Sequence, residues 1–128
     1  EAAAQRPYGA RGDEPDGRKM GWMTSRRLQL SLEQIEDQLA TKLTVHALAA
    51  SIGLSASFFS RAFREAVGKP PHEYILDRRV AYARRLLRSG AGNLAAIAQA
   101  TGFSSHAHLT SVFRKRLGMT PSDFAKRF

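Results

Sequence analysis

A pattern of residues stated twice in one chain obliges the fold to contain two equivalent parts, and this chain has such a pattern. Residues 44–74 carry Thr44, Val45, Leu48, Ala49, Gly53, Ser55, Phe59, Phe63, Arg64, Gly68, Pro71 and Tyr74. Residues 93–124 answer with Asn93, Leu94, Ile97, Ala98, Gly102, Ser104, Leu109, Phe113, Arg114, Gly118, Pro121 and Phe124. Ser104 lies 49 residues after Ser55 and Leu109 lies 50 after Phe59, so the second copy holds one extra residue after its turn. An internal repeat implies a repeated structural unit.

Local chemistry spells out each unit. Thr44 and Asn93 are N-cap residue types. Behind them Val45, Leu48, Ala49 and Ile52, or Leu94, Ile97, Ala98 and Thr101, fall at i, i+3, i+4 and i+7, one buried helix face. Gly53 and Gly102 are expected to end these helices, where glycine adopts the left-handed conformation cheaply, and Ser55 and Ser104 to cap the next ones. The second helices, at about 56–67 and 105–117, run to Gly68 and Gly118. Helix, short glycine turn and helix is the layout of a helix-turn-helix, over 44–68 and again over 93–118.

Pro71 and Pro121 suit a first helical turn. From Pro71 to Ser89 a single helix is predicted, with Tyr74, Ile75, Val80, Ala83, Leu86 and Leu87 as its apolar set and Arg78, Arg79, Arg84, Arg85 and Arg88 outside. Such a helix spans roughly 28 Å, a spacer near the roughly 34 Å turn of B-DNA. Upstream, Leu28, Leu32, Ile35 and Leu39 form one helical stripe. Thr24, or Ser31 with Gln34 in a capping box, would start that helix. The stretch from Glu1 to about Met20 is rich in Gly, Pro, Ala and mixed charge and has no apolar period. Residues 1–24 are accordingly expected to be a linker or tail, and residues 25–128 the domain. Trp22 and Met23 either dock on the domain or form a lead-in.

The chain has 128 residues, enough for one domain plus a tail. It contains no cysteine, which excludes disulfides, thiolate metal sites and a cysteine nucleophile and permits a reducing cytosol. No apolar run approaches the roughly 18 residues of a membrane span, so no membrane partner is expected. The start at Glu1 has no signal-peptide character and suggests a fragment or the processed end of something longer. The net charge of +9 is unevenly placed: residues 1–24 and 25–42 are each neutral, and residues 43–128 hold thirteen Lys or Arg against Glu65, Glu73, Asp77 and Asp123. A basic domain attracts polyanions by counterion release and steering. Two helix-turn-helix units on such a domain point to double-stranded DNA.

The second helix of a helix-turn-helix enters the major groove and reads base edges with its early exposed residues. In the first copy Phe59, Ala62, Phe63 and Val67 are inward, leaving Ser57, Ser60, Arg61 and Arg64 outward. Arg61 is the sharpest candidate, because a guanidinium bonds guanine bidentately, while Ser57 and Ser60 read weakly. In the second copy Leu109, Val112, Phe113 and Leu117 are inward, and His106, Ala107, Thr110 and Ser111 are the base-reading candidates. Ser111 stands where Arg61 stands fifty residues earlier, so the second face is expected to discriminate less. Arg64 and Arg114, with Ser55 and Ser104, are phosphate-binding candidates, which position without specifying sequence.

No catalytic or cofactor site is expected. His106 and His108 are two apart on a helix and share no face, and no acidic or thiol ligand stands near them, so no metal site is assigned. His46 and His72 read as surface or capping residues. No paired carboxylates, nucleophile with base, or phosphate-cradling glycine loop appears, so an enzyme would need a site assembled from scattered residues.

The segments "LAASIGLSASFFSRAFREAVGKPPHEYI", "RRVAYARRLLRSG" and "IAQATGFSSHAHLTSVFRKRLGMTPSDF" resemble the DNA-binding region of the AraC/XylS family of bacterial transcription regulators. The resemblance covers about residues 25–128. It implies an all-α fold of seven helices, with two helix-turn-helix subdomains joined by a long central helix and recognition helices in adjacent major-groove segments. It also implies a bacterial, cytoplasmic and nucleoid-associated activator that contacts RNA polymerase, with any small-molecule effector bound by a domain absent from this chain. Ser111 departs from the arginine often found there. A DNA-repair methyltransferase carries a similar domain, but its chemistry needs cysteine. The competing reading is a nonspecific architectural nucleic-acid-binding protein.

Overall fold

Side-chain caps mark where most of the helices of this protein begin. In the computed structural model, which describes residues 24–90 and 92–128, the described residues form seven α-helices and no strand. They are α1 (Ser25–Asp37), α2 (Val45–Ser51), α3 (Ala56–Val67), α4 (Pro71–Ser89), α5 (Leu94–Thr101), α6 (His106–Leu117) and α7 (Pro121–Arg127). The proposed tail, including Trp22 and Met23, lies outside the described residues apart from Thr24. Thr44 Oγ1 accepts the Ala47 N–H at 3.0 Å and Asn93 Oδ1 the Ala96 N–H at 2.8 Å, so α2 and α5 start as their sequences dictate. Each such cap contributes about 1 kcal/mol. Thr120 Oγ1 does the same for the Asp123 N–H of α7, where Pro121 occupies the first turn.

Of the two candidate starts for α1, Thr24 is the one used: its hydroxyl accepts the Arg27 N–H at 3.2 Å. Ser31 is instead buried within the helix and donates to the Arg27 carbonyl at 3.0 Å. Gln34, its proposed partner, accepts the Ser51 hydroxyl. Leu39 is buried as the stripe requires, but it lies beyond the end of α1.

The two tight turns close with one hydrogen-bond pattern. Leu54 N–H donates to Ala49 O at 2.9 Å, and Phe103 N–H to Ala98 O at 2.9 Å. The glycine inside each turn is left-handed, with φ +76° at Gly53 and +91° at Gly102, a conformation that is strained for any other L-residue. The second helices of the two units then start differently. Ser55 caps α3 by accepting the Phe58 N–H at 3.2 Å. For α6 the cap is Ser105, which accepts the His108 N–H at 3.1 Å, and not the expected Ser104. The extra residue of the second copy falls inside the turn before the cap, so the equivalent of Ser55 is the serine fifty residues on.

The helices fall into two compact units. In the first are α1, α2, α3 and the start of α4 up to Tyr74. Its fully buried side chains include Ile35, Leu48, Ala49, Phe58, Phe59, Ala62 and Phe63. Phe63 meets the edge of Tyr74 with ring centroids 5.6 Å apart. In the second are α4 from Ile75 onward, α5, α6, α7 and the loop 38–42. Its core gathers Val80, Ala83, Leu87, Ile97, Ala98, Phe103, Leu109, Phe113 and Phe124.

Two α4 arginines expected outside are partly drawn in. Arg79 donates from Nε to the Leu39 carbonyl at 3.1 Å and from its second guanidinium nitrogen to that of Thr41 at 2.9 Å. Burial lowers its pKa from the ordinary arginine value. The chain ends its helix at Asp37, and these two loop carbonyls need donors that a long basic side chain supplies. Arg84 stands over the Phe124 ring at 5.6 Å, with its Nε buried.

Candidate nucleic-acid interface

Each second helix divides along its length. On α3 the inward row is Phe58, Phe59, Ala62 and Phe63, all fully buried. Opposite, Ser57, Arg61 and Arg64 are exposed and Ser60 is half-buried. The spacing of Ser57, Ser60, Arg61 and Arg64 at i, i+3, i+4 and i+7 puts them on one face. The Arg61 guanidinium lies 5.8 Å from the centre of the Phe58 ring, an arginine-on-aromatic contact that steadies it at the helix surface. Phe58 adds to the inward residues expected from sequence. Its counterpart in the second copy is the polar His108, so comparing the repeats hid it, although adjacent phenylalanines with another at Phe63 signal a broad apolar face.

On α6 Leu109 and Phe113 are buried, and Val112 and Leu117 half-buried. His106, Ala107, Ser111 and Arg114 are exposed and Thr110 is half-buried. These five residues, joined by Lys115, line one open recess of about 560 Å³. Lys115 escaped the sequence reading because its counterpart in the first copy is Glu65. His108 turns away from the recess. Its ring meets Phe103 edge-on with centroids 5.3 Å apart, and its Nδ1 takes a 3.4 Å hydrogen bond from the Ser104 N–H, with the Ser104 hydroxyl 3.2 Å off. The inserted residue is thus held by the histidine that replaces Phe58.

The phosphate candidates are spread over both units. Ser55 and Ser104 are exposed in the turns, Ser55 as a cap and Ser104 against His108. Arg64 and Arg114 sit in the last turns of α3 and α6, where basic side chains also favour the carbonyl end of the helix dipole. Arg116, two residues after Arg114, pairs instead with Asp77 on α4. His46 and His72 are exposed in the first turns of α2 and α4. Among the described residues no three His, Asp or Glu side chains gather to hold a metal, and no helix is long and apolar enough to cross a membrane.

Several known proteins are similar to this chain. Over 83 residues the chain is 39% identical to a protein of Streptomyces antibioticus described as an AraC-like transcription regulator, covering 65% of this chain and 27% of the relative. The family described as helix-turn-helix domain matches residues 48–127. The chain belongs to the AraC-type helix-turn-helix family. This family is one of DNA-binding transcription regulators and not of enzymes. A further relative, the virulence regulon transcriptional activator VirF of Yersinia enterocolitica, is 35% identical over 105 residues, covering 82% of this chain and 38% of VirF. Among solved structures, the DNA-binding domain of the global transcriptional factor AdpA, in complex with a target DNA, superposes with a TM-score of 0.76 at 29% identity, covering 79% of this chain and 91% of that one. The AraC-type fold is therefore that of this chain, two helix-turn-helix units joined along the chain by α4. The chain spans about a quarter to two fifths of the length of these curated relatives.

Proposed function

We propose that this chain is the DNA-reading part of a transcription regulator, a sequence-specific activator that lays α3 and α6 in major-groove segments of double-stranded DNA. The observation that carries the reading is the outward row of α3, where Ser57, Arg61 and Arg64 stand exposed above a fully buried apolar row. An arginine at that place bonds the O6 and N7 acceptors of guanine, and one a turn later reaches the backbone. Ser57, Ser60 and Arg61 on α3, and His106, Ala107, Thr110 and Ser111 on α6, are the base readers. Arg64, Arg114, Ser55 and Ser104 are the phosphate contacts. AdpA, whose domain was solved on a target DNA, supports the choice of partner, and the activator name of VirF supports the direction of regulation. RNA polymerase is the protein partner an activator would touch, and an effector, where one exists, belongs to a domain outside these residues.

Selection from random duplexes followed by competition at fixed salt tests the proposal. A selected site bound at least about 10³-fold more tightly than random DNA identifies a sequence-specific reader. A ratio near one, with steep salt dependence, identifies the nonspecific architectural alternative, because phosphate contacts alone carry no sequence information. Transcription by purified RNA polymerase from a promoter bearing the selected site, with and without the protein, reports activation.

A further inference from the structure

We infer that α6 reads thymine, through contact of the Ala107 and Thr110 methyl groups with the thymine C5-methyl. The inference rests on the proposed DNA-reading function and adds which base edge the second helix selects.

The first two turns of α6 run His106, Ala107, His108, Leu109, Thr110, Ser111, Val112 and Phe113 and hold no Arg, Lys, Asn, Gln, Asp or Glu. Those six types make the charged or bidentate contacts that separate guanine, adenine and cytosine in the major groove. Hydroxyls at Thr110 and Ser111 bond several bases and separate none of them well. His108 is occupied beside Phe103 and Ser104, which leaves His106 as the one ring on the outward face. Beside that single imidazole, the selective chemistry the outward face offers is apolar. Ala107 and Thr110 are three residues apart and so share a face, and thymine alone among the bases offers a methyl group in the major groove.

The shape of α6 agrees. The open recess is lined by the short side chains of Ala107, Thr110 and Ser111 together with His106, Arg114 and Lys115. A helix with short outward side chains must approach the base edges closely to touch them, and the two cations there suit the flanking phosphates. On α3 the long Arg61 takes the place that Ser111 takes on α6, so the two helices read by different chemistry.

Deoxyuridine scanning of the selected site tests this with the chain as it stands. Each thymine in turn is replaced by deoxyuridine, which removes the methyl group and keeps pairing and the O4 acceptor. Loss of about fourfold in affinity is expected at one or two positions, the equivalent of ~0.8 kcal/mol for one methyl group taken out of water. At those positions Thr110→Ser or Ala107→Gly should abolish the difference between thymine and deoxyuridine, while Thr110→Val, which keeps the methyl group, should preserve it. Thr110→Ser retains the hydroxyl and is small enough to leave the fold intact. A scan that is flat at every thymine of a well-selected site overturns the inference and leaves the regulator standing. So does a thymine preference that all three variants retain. Failure to select any site overturns the regulator itself, and the inference with it.

Discussion

Gly53 and Gly102 hold the same place in the two turns, yet their surroundings differ. A Cβ added at Gly53 would meet nothing within 4 Å, whereas one at Gly102 would overlap the Leu39 carbonyl oxygen and the Arg79 guanidinium. Gly53→Ala should therefore cost about 1–2 kcal/mol of backbone strain. Gly102→Ala should add about 1–3 kcal/mol of overpacking to that, and urea titration of the two variants measures the difference. The outward row of α3 makes a second comparison at this scale. Arg61→Ala should weaken binding to a selected site by about 1–3 kcal/mol and relax one base position, while Arg64→Ala weakens all sequences alike and lowers the salt slope by about 1. Equal losses on target and random DNA for both variants, in competition titrations, would contradict these roles.

At the scale of the elements, the caps explain both what the sequence displays and what it conceals. Thr44, Asn93 and the proline at the head of α7 mark helix starts because capping is local and needs only a short stretch of chain. Ser104 misleads for the same reason. Two adjacent serines both have a capping hydroxyl, and only the three-dimensional path of the turn, lengthened by one residue, gives the task to Ser105. Ser105→Ala should lower stability by about 1 kcal/mol, and Ser104→Ala should stay within about 0.5 kcal/mol, as read by thermal unfolding. The inverse result would return the cap to Ser104. Arg79 shows a deeper limit. Its spacing on α4 matches that of a solvent-facing arginine, and its partners are backbone carbonyls at Leu39 and Thr41, which carry no side-chain signature. The outward rows of α3 and α6 were legible because a period of 3.6 separates them from the buried rows. The recess on α6 was less so, since a helical period separates outward from inward residues and says nothing of the relief of the outward surface.

Taken as a whole, the molecule carries a net charge of +9, but not every cation faces outward to meet a polyanion. Arg79 is committed to two carbonyls, Arg84 lies over Phe124 and Arg116 pairs with Asp77. If about six phosphates are neutralised by the rest, the logarithm of affinity should fall against the logarithm of salt with a slope near −5. Fluorescence anisotropy across a salt series measures it, and a flat series would rule out counterion release as the source of affinity. The loop 38–42 carries a different kind of consequence. It lies between α1 and α2 along the chain but packs with the second unit, where the carbonyls of Leu39 and Thr41 hold Arg79. The duplication visible in the sequence therefore cannot be undone with one cut. A fragment starting at Ile75 would hold the whole second helix-turn-helix and still lack one of its walls. During synthesis that wall leaves the ribosome before α2 exists, and it waits for α4 and α5 to arrive behind it.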